Sequence, residues 1–324
     1  MSKKSNNKFI YTLLIGQLFI INSVCATSTV DVPTGITTTF DHIMQEDSKT
    51  MDKIGAGELV ITNAAQGTGI TTFLVKISAG TVTTNNANAL GNKIELAGGS
   101  WKLPTIAAAN MSSKTLAVSS NSTVDVRTTG HRLPQISGSN ATLALIHTGD
   151  SAADVTLSAI NGLTGLSVGQ TGQQQILTTS GSLVGVTNLS LKTGGKAKIE
   201  SGQYCTGAIS FDGGELNTIS ASTIPNSINV TTNDGSIKAN DDLSIIGIMN
   251  LVEGGELKIS APLKKVTINQ SPSSNMHGSL NISEGELEIA SGVGFNNTSS
   301  KVSISSGAKA SFSDDVQLNE LSFS

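Results

Sequence analysis

The chain has 324 residues, with 34 Gly, 6 Pro, 37% hydrophobic and 3% aromatic residues, a composition that predicts many turns between thin strands. Its 20 basic and 24 acidic residues give a formal net charge of -4, which argues against a nucleic-acid partner because phosphate binding needs basic patches. Low charge and apolar residues at period two also argue against a disordered chain.

The N-terminal segment 1–26 has the organisation of a secretory signal peptide. Three lysines precede an apolar run over residues 10–24, and Ala26 offers a small residue at the cleavage position. We therefore expect residues 1–26 to be removed and the mature chain to begin at Thr27.

Two other interpretations of this segment are less consistent with its residues. A permanent membrane span needs about 20 apolar residues, whereas this run is shorter and contains Gln17 and Asn22. A lipid anchor on Cys25 would favour a small residue just before the cysteine, where Val24 stands.

Cleavage changes both the charge and the cysteine content. Removing Lys3, Lys4 and Lys8 leaves 17 basic against 24 acidic residues, a net charge near -7. The mature chain then keeps only Cys205 and forms no internal disulfide. We expect Cys205 to behave as a small buried hydrophobe rather than as a link between chains.

Residues 27–52 are interpreted as an entry or capping segment, and residues 53–324 as a repeat domain. Each repeat unit is a glycine followed by alternating apolar and polar residues, which is typical of short strands. The clearest units are Gly55-Ala56-Gly57-Glu58-Leu59-Val60-Ile61, Gly80-Thr81-Val82, Gly99-Ser100-Trp101-Lys102-Leu103, Gly214-Glu215-Leu216-Asn217, Gly235-Ser236-Ile237-Lys238, Gly255-Glu256-Leu257-Lys258-Ile259 and Gly285-Glu286-Leu287-Glu288-Ile289.

The spacing of these units predicts the fold. Gly195, Gly214, Gly235 and Gly255 are 19, 21 and 20 residues apart. About twenty residues accommodate three short strands and three turns, and stacked coils pair each strand in parallel with the next at about 4.8 Å per layer. The sequence therefore predicts an all-β fold, a right-handed parallel β-helix (solenoid) of roughly 14 coils.

The same register makes two further predictions. Leu216, Ile237 and Leu257 each follow a glycine at the same place, so we expect them to stack as an inward-facing aliphatic ladder. Residues 162–182 and 271–277 interrupt the pattern with Gly, Gln, Pro and Ser. They are predicted to form irregular coils or loops outside the stack.

Residues 53–91 carry a resemblance to a known family. Lys53-x-Gly55-x-Gly57-x-Leu59-x-Ile61, Gly67-Thr68-Gly69, Ala79-Gly80-Thr81-Val82 and Asn88-Ala89-Leu90-Gly91 follow in this order. They resemble the passenger-associated β-strand repeat of bacterial autotransporters. The remainder of the chain is similar to autotransporter passenger domains in period and composition only.

The resemblance implies an exported β-helix of a Gram-negative bacterium, often an adhesin or virulence factor, at the cell surface or outside the cell. It also implies an outer-membrane translocator barrel as a partner. A barrel needs amphipathic strands with aromatic girdles, whereas this chain is still repeat-like at Leu321-Ser322-Phe323-Ser324. We expect a truncated or split passenger, a fragment of an open reading frame, or a product exported by a separate partner, and periplasmic retention if no translocator is supplied.

The sequence favours a stalk or adhesin over a carbohydrate-active β-helix enzyme, a polysaccharide lyase or hydrolase. Such enzymes need clustered carboxylates, and Thr232-Asn233-Asp234 with Asp241-Asp242 resemble fragments of the polygalacturonase pattern. The Gly-His-Gly and Arg-x-Lys elements do not follow, so Asn233-Asp234-Gly235 is interpreted as a turn. We expect Asp234, Asp241 and Asp242 to point into water, and we assign no catalytic, cofactor or metal residue; a host-cell receptor or glycan is the expected ligand.

Other residues that could carry chemistry are interpreted as structural. Gly149-Asp150-Ser151 lacks the strand-to-helix elbow of an esterase nucleophile and is predicted to be a turn. Asp314-Asp315 is interpreted as a solvated turn rather than a calcium site. Trp101 and Phe211 are expected to pack inward rather than to stack on sugars.

The four histidines lack the spacing of metal ligands. We expect them to be solvated or half-buried loop residues: His42, His131, His147 and His277.

The signal peptide gives a first testable expectation. Because small residues at Val24-Cys25-Ala26 end the apolar run, N-terminal sequencing of the exported protein should give Thr27 as the first residue. Recovery of Met1, or of a lipid on Cys25, would instead place the chain among membrane-anchored proteins.

Overall fold

The computed structural model describes residues 28–67, 71–106, 109–173, 175–269, 277–290, 301–313 and 320–323. In these residues the chain is a parallel β-solenoid, a β-helix built from strands without a helix. Three of the predicted features lie outside the described residues: the signal peptide, Asp314-Asp315 and the loop at 271–276.

Alternation of apolar and polar residues produces the strands. In Glu58–Ile61, Leu59 and Ile61 are buried while Glu58 and Val60 are partly exposed, because successive side chains of a strand point to opposite faces. The described strands, in chain order, are β1 Ser28–Asp31, β2 Thr37–Phe40, β3 Thr50–Ile54, β4 Glu58–Ile61, β5 Leu74–Ile77, β6 Thr81–Thr84, β7 Lys93–Ala97, β8 Ser100–Lys102, β9 Thr115–Ser120, β10 Ser122–Asp125, β11 His131–Arg132, β12 Gln135–Gly138, β13 Thr142–Ile146, β14 Ala153–Thr156, β15 Ile160–Asn161, β16 Leu163–Val168, β17 Leu177–Ser180, β18 Val186–Lys192, β19 Gly195–Ile199, β20 Ile209–Asp212, β21 Glu215–Thr218, β22 Ser222–Ile224, β23 Ile228–Val230, β24 Gly235–Ala239, β25 Leu243–Ile245, β26 Met249–Leu251, β27 Glu256–Ile268, β28 Ser279–Ile289, β29 Lys301–Ile304, β30 Lys309–Phe312 and β31 Glu320–Phe323.

Within the described ranges these strands form three parallel sheets, in which neighbouring strands come from successive coils. Sheet 1 has the order β1-β3-β5-β7-β9-β12-β15, and sheet 2 has the order β2-β4-β6-β8-β10-β13-β16-β18-β20-β23-β26. Sheet 3 has the order β11-β14-β17-β19-β21-β24-β27-β28-β29-β31. Sheet 3 is widened by β22, which pairs with β25, by β25, which pairs with β27, and by β30, which pairs with β28.

The core consists of inward-facing side chains stacked from coil to coil. Burying a side chain of this kind contributes about 1.5–3 kcal/mol, so such stacks are the main source of stability. Trp101 and Phe211 pack inward as predicted, and the Trp101 indole N–H donates to Thr84 Oγ1 at 3.1 Å. One stack in sheet 2, with every member at most 1% exposed, contains Leu59, Val82, Trp101, Val124, Leu145, Val168, Leu191, Phe211, Val230 and Leu251.

The predicted inward ladder is correct for two of its three members. Leu216 lies in register with Ile237, and Ile237 lies in register with Ile259, whereas Leu257 lies in register with Gly235. The coil from Ile237 to Ile259 is thus longer, by two positions, than the spacing of Gly235 and Gly255 indicates. Leu257 is nevertheless fully buried, because an offset of two positions keeps a side chain on the same face of the sheet.

Coil length varies along the solenoid. In sheet 3 the register step from His131 to Val155 is longer than the step from Thr179 to Ala197. The longer coil contains strands of all three sheets, whereas the shorter one follows the last described strand of sheet 1 and contains strands of sheets 2 and 3 alone. Among the described residues, eleven successive coils contribute a strand to sheet 2, and β28, β29 and β31 continue sheet 3 through three further coils, in agreement with the roughly 14 coils predicted from the repeat length.

The predicted irregular loop at residues 162–182 is wrong for residues 163–168 and 177–180. It contains β16 in sheet 2 and β17 in sheet 3, both paired in register with the coils on either side. Gly165 interrupts the alternating pattern, yet it faces outward beside Thr142 and Asn188, where no side chain is needed to fill the core. The segment 28–52 also carries solenoid strands, since β1 pairs with β3 and β2 pairs with β4.

The repeat glycines lie where one coil runs closely against the coil before it. A Cβ on Gly195 would lie 2.0 Å from the carbonyl oxygen of Val168, and a Cβ on Gly235 would lie 2.4 Å from the Cβ of Phe211. Real carbon contacts are longer than this, so any side chain at these two positions would push the coils apart. This close approach explains why glycine opens the repeat unit.

The two long strands β27 and β28 extend across both parts of sheet 3. The first half of β27 pairs with β24 and the second half pairs with β25. Residues 261–264 of β27 stand opposite the single residue Gly285 of β28, so the strand bulges outward there. Leu263 occupies this bulge with φ 60° and a side chain that is 101% exposed, an uncommon backbone conformation for a non-glycine residue.

A pair of substitutions in one strand tests the inward register. Leu257→Asp should lower the free energy of unfolding by about 3 kcal/mol or more, because it places an unpaired charge in the core. Lys258→Asp, at the exposed neighbouring position, should change it by less than about 1 kcal/mol. Urea unfolding followed by circular dichroism measures both; equal effects would contradict the assigned faces.

Candidate functional site

The described residues form a groove of about 330 Å³ on the outer face of sheet 3, where β22, β25 and the second half of β27 lie side by side. Its size is at the lower end of the range for small-molecule sites. Hydroxyl groups dominate the lining, which comprises Ser201, Ala221, Ser222, Thr223, Asp242, Leu243, Ser244, Lys265 and Thr267.

Strand pairing brings the polar lining residues together. Ser244 lies in register with Thr223 on one side and with Thr267 on the other. Because both neighbours of Ser244 in its strand are buried, the three hydroxyls form one outward column. Beside this column the backbone N–H of Lys265 donates to Asp242 Oδ1 at 3.0 Å, which joins two successive coils.

Two exposed ion pairs border the groove. Lys264 Nζ lies 2.8 Å from Asp241 Oδ1, and Lys265 Nζ lies 2.7 Å from Glu288 Oε2. The hydrogen bond from Lys264 lowers the pKa of Asp241, and the hydrogen bond from Lys265 lowers the pKa of Glu288. The same bonds raise the pKa of each lysine, so all four groups are charged at neutral pH.

The groove is suited to hydrogen bonding. Its hydroxyls can donate and accept, and its charged lining groups are Asp242 and Lys265. Hydrolysis of a glycosidic bond by the usual route needs two carboxyl groups that flank the bond. Among the described lining residues Asp242 is the single carboxylate, and none is a histidine or a cysteine.

The three carboxylates singled out in the sequence have different surroundings. Asp234 lies in a turn, as predicted, with φ 65°, and its Oδ1 accepts the backbone N–H of Glu256 at 2.8 Å. Asp242 is exposed and lines the groove. Asp241 was expected to point into water, but it binds Lys264 of the next coil; their separation of 23 residues hides the pair in the sequence.

Two histidines are buried, so the expectation of solvated or half-buried loop residues was wrong for them. His131 is 0% and His147 is 3% exposed. His131 Nε2 lies 3.1 Å from the carbonyl oxygen of Pro104, and burial lowers the pKa of His131. Inward positions at a corner accept a polar ring because backbone carbonyls of the adjacent coil are within reach. His42 is half-buried and His277 is exposed, as predicted.

The segment Gly149-Asp150-Ser151 lies in a bend, which agrees with the predicted turn. The ring of His147 approaches it, but Nε2 contacts the backbone carbonyl oxygen of Ser151. Nδ1 lies 2.5 Å from the carbonyl oxygen of Val126. Since both ring nitrogens meet the main chain, the histidine is not arranged as a base for the Ser151 hydroxyl.

Cys205 is buried, as predicted for a small hydrophobe, and forms no disulfide among the described residues. Burial raises the pKa of its thiol, and a buried thiol with a raised pKa is unreactive. The side-chain amide of Asn226 donates to the Cys205 carbonyl oxygen at 2.7 Å. The residue is therefore part of the packing between coils.

Lys53 is buried, although its charge gave no reason to expect it in the interior. It is 0% exposed, and its Nζ donates to the carbonyl oxygens of Ile54, Gly55 and Ala79 at 2.9, 2.6 and 3.0 Å. Burial lowers the pKa of Lys53, and the charge of Asp31 opposes this shift. Three acceptors match the three N–H groups of an ammonium, so Lys53 links two coils. The one signal in the sequence is its position in the inward phase of β3.

Two features are absent from the part of the chain that the structure describes. There, no group of three or more His, Cys, Asp or Glu side chains is arranged to hold a metal ion. No helix in the same residues has the length and apolarity needed to cross a membrane.

Comparison of the chain with known protein families, with curated proteins and with solved structures finds no match. The groove and the outward columns of side chains are therefore the features from which a function can be argued.

The ion pair between Lys264 and Asp241 can be tested by titration. Lys264→Ala should raise the pKa of Asp241 toward its ordinary value, because the hydrogen bond from Lys264 is the largest cause of the lowered pKa. Carboxyl-carbon NMR measures the shift. Lys301→Ala removes a lysine that pairs instead with Glu320 and should leave the Asp241 pKa unchanged; an unchanged pKa in the Lys264 variant would refute the contact.

Proposed function

We propose that this protein is an exported β-solenoid that acts as an adhesin or structural stalk rather than as an enzyme. The observation that carries the proposal is the regular array of small polar side chains on the outer faces of the solenoid. We propose host-cell receptors or glycans as its ligands.

The outer face of sheet 2 illustrates this array. One outward column runs through eight successive coils. Seven of its members carry a hydroxyl or amide group and one is Ala144; seven are partly exposed and Ser167 is buried. The Asn250 side chain donates to Asn229 Oδ1 at 2.9 Å, which fixes both amides. The column consists of Ser100, Thr123, Ala144, Ser167, Ser190, Ser210, Asn229 and Asn250.

Repetition turns weak contacts into useful adhesion. A single hydroxyl contributes little affinity, but groups that recur at about 4.8 Å per coil can engage several units of one polymer at once. Binding of the second unit is then intramolecular, and avidity exceeds the affinity of each contact. The groove around Ser244 and Thr267 adds a concave position on sheet 3 where a ligand loses more of its water.

The chemistry of the groove supports binding without turnover. Asp242, the single carboxylate among the described lining residues, already accepts a backbone N–H from Lys265. The Lys265 ammonium is held by Glu288 on the following coil. A hydrolase would need a second carboxyl group converging on the same bond.

Export and display complete the proposal. The N-terminal segment 1–26 is proposed to direct the chain out of the cytoplasm, and an outer-membrane translocator barrel is the proposed partner for display at the bacterial surface or for secretion. Without that partner the protein would remain in the periplasm. A location at the bacterial surface would fit a role in adhesion during virulence.

Ligand binding and turnover can be measured on the same protein. Residues 27–324 should bind host glycans on an array and release no reducing or unsaturated sugar from pectin-like polymers with calcium present. Ser244→Ala with Thr267→Val should weaken binding at least about fivefold, because it removes two groove hydroxyls.

A matched control removes the same two kinds of hydroxyl group from sheet 1. Thr115→Val with Ser137→Ala removes two exposed hydroxyls far from the groove and should leave the affinity within about twofold. Sugar release that disappears in an Asp241→Ala, Asp242→Ala double variant would overturn the adhesin proposal in favour of an enzyme.

A further inference from the structure

The widened part of sheet 3 carries a column of alternating charge on its outer face. Lys265 lies in register with Glu286, and Glu286 lies in register with Lys309. Asp242 precedes them, since its carboxylate accepts the backbone N–H of Lys265. All four side chains are exposed, and along the solenoid they read minus, plus, minus, plus. Asp242, Lys265, Glu286 and Lys309 are called the charge ladder below.

We propose that the charge ladder is the contact through which two copies of this chain associate side by side in antiparallel orientation. In this dimer a two-fold axis crosses the ladder between Lys265 and Glu286. Asp242 of one copy then faces Lys309 of the other, and Lys265 faces Glu286. Every charge meets its opposite, so the surface is self-complementary, as an isologous interface requires.

Other orientations satisfy the ladder less well. Two parallel copies in register would place each charge opposite an identical charge, which is unfavourable. A parallel copy displaced by one coil would form three of the four pairs, but repetition of that displacement gives an open array rather than a closed dimer. Charge complementarity therefore selects the antiparallel arrangement.

The column beside the ladder fits the same two-fold axis. It contains Ser244, Thr267, Glu288 and Ser311 in successive coils. The axis places Thr267 of one copy opposite Glu288 of the other, and Ser244 opposite Ser311. Hydroxyl donors thus face a carboxylate or another hydroxyl, and no two like charges meet. Because Asp242, Ser244, Lys265 and Thr267 also line the groove, a second copy and a groove ligand exclude each other at this surface.

The bulge in β27 gives a second, independent indication of a partner. Leu263 is fully exposed in a left-handed backbone conformation, on the coil of Lys265. Gly285 occupies the corresponding corner on the coil of Glu286. Because the axis exchanges these two coils, Leu263 of each copy lies over Gly285 of the other, where there is no side chain to obstruct it. The contact covers an apolar side chain that water surrounds in the single chain.

The contact is small. Four coils span roughly 15 Å along the solenoid, so the interface belongs to the weak and transient class. Because its charges are exposed, salt screens it. Association of this kind is effective where many copies are held close together, since a high local concentration compensates for low affinity.

A purely intramolecular role is the competing explanation, because opposite charges on adjacent strands also attract within one chain. Exchanging the two central charges separates the two explanations. With Lys265→Glu and Glu286→Lys together, the ladder reads minus, minus, plus, plus. Two steps within the chain then join like charges, yet every charge still faces its opposite in the antiparallel dimer.

Sedimentation velocity of residues 27–324 over a range of concentrations tests the proposal. We expect reversible dimers at low ionic strength that dissociate in salt of roughly 0.5 M. Lys265→Glu alone should lower the association constant at least about tenfold, because two like pairs then face each other. The double exchange should restore it to within about threefold of the original.

Leu263→Asn provides a variant outside the ladder, since asparagine tolerates the left-handed conformation. It should weaken association while leaving the thermal transition seen by circular dichroism unchanged. A chain that stays monomeric at all concentrations overturns the proposal. So does a double exchange that associates no better than Lys265→Glu alone, because that result is what a purely intramolecular ladder gives.

Discussion

In-register parallel pairing between coils is the constraint on which the rest of this structure depends. A backbone that pairs with the coils before and after it leaves each side chain two choices, inward or outward. Leu145 and Val168 occupy the same inward stack because their strands pair without a shift. Outward residues are placed with equal regularity, so the hydroxyl column at Ser244, the ion pairs beside it and the charge ladder all follow from the pairing that builds the core.

Most of the fold could be predicted from the sequence because period-two alternation and recurring glycines both report this pairing. Phe211 was correctly assigned to the interior, as was the stacking of Leu216 on Ile237. Leu257 was placed two positions out of register, since alternation distinguishes faces but not shifts of two. A mean spacing also conceals variation in coil length, such as the long coil that begins at His131 and includes the sheet 1 strand β12.

The candidate site was much less predictable, because its members come from successive coils that lie far apart in the sequence. Asp241 and Lys264 meet only because a coil of a particular length separates them. The buried charge of Lys53 and the buried ring of His131 depend on main-chain carbonyls at the corners. The identities of residues in a sequence do not reveal which carbonyls lie within reach. The partners of inward-facing polar residues therefore cannot be predicted from the alternation of apolar and polar residues and become visible only in the structure.

The single tryptophan has a practical consequence for spectroscopy. Trp101 is buried in sheet 2 toward the N-terminal end of its stack, with its indole N–H bound to Thr84. In a solenoid each coil contacts only its neighbours, so distant coils can melt independently. Intrinsic fluorescence therefore reports the local environment of the early coils and is blind to fraying around β28. A denaturation curve recorded by emission and one recorded by far-ultraviolet ellipticity should separate wherever cooperativity along the rod is incomplete.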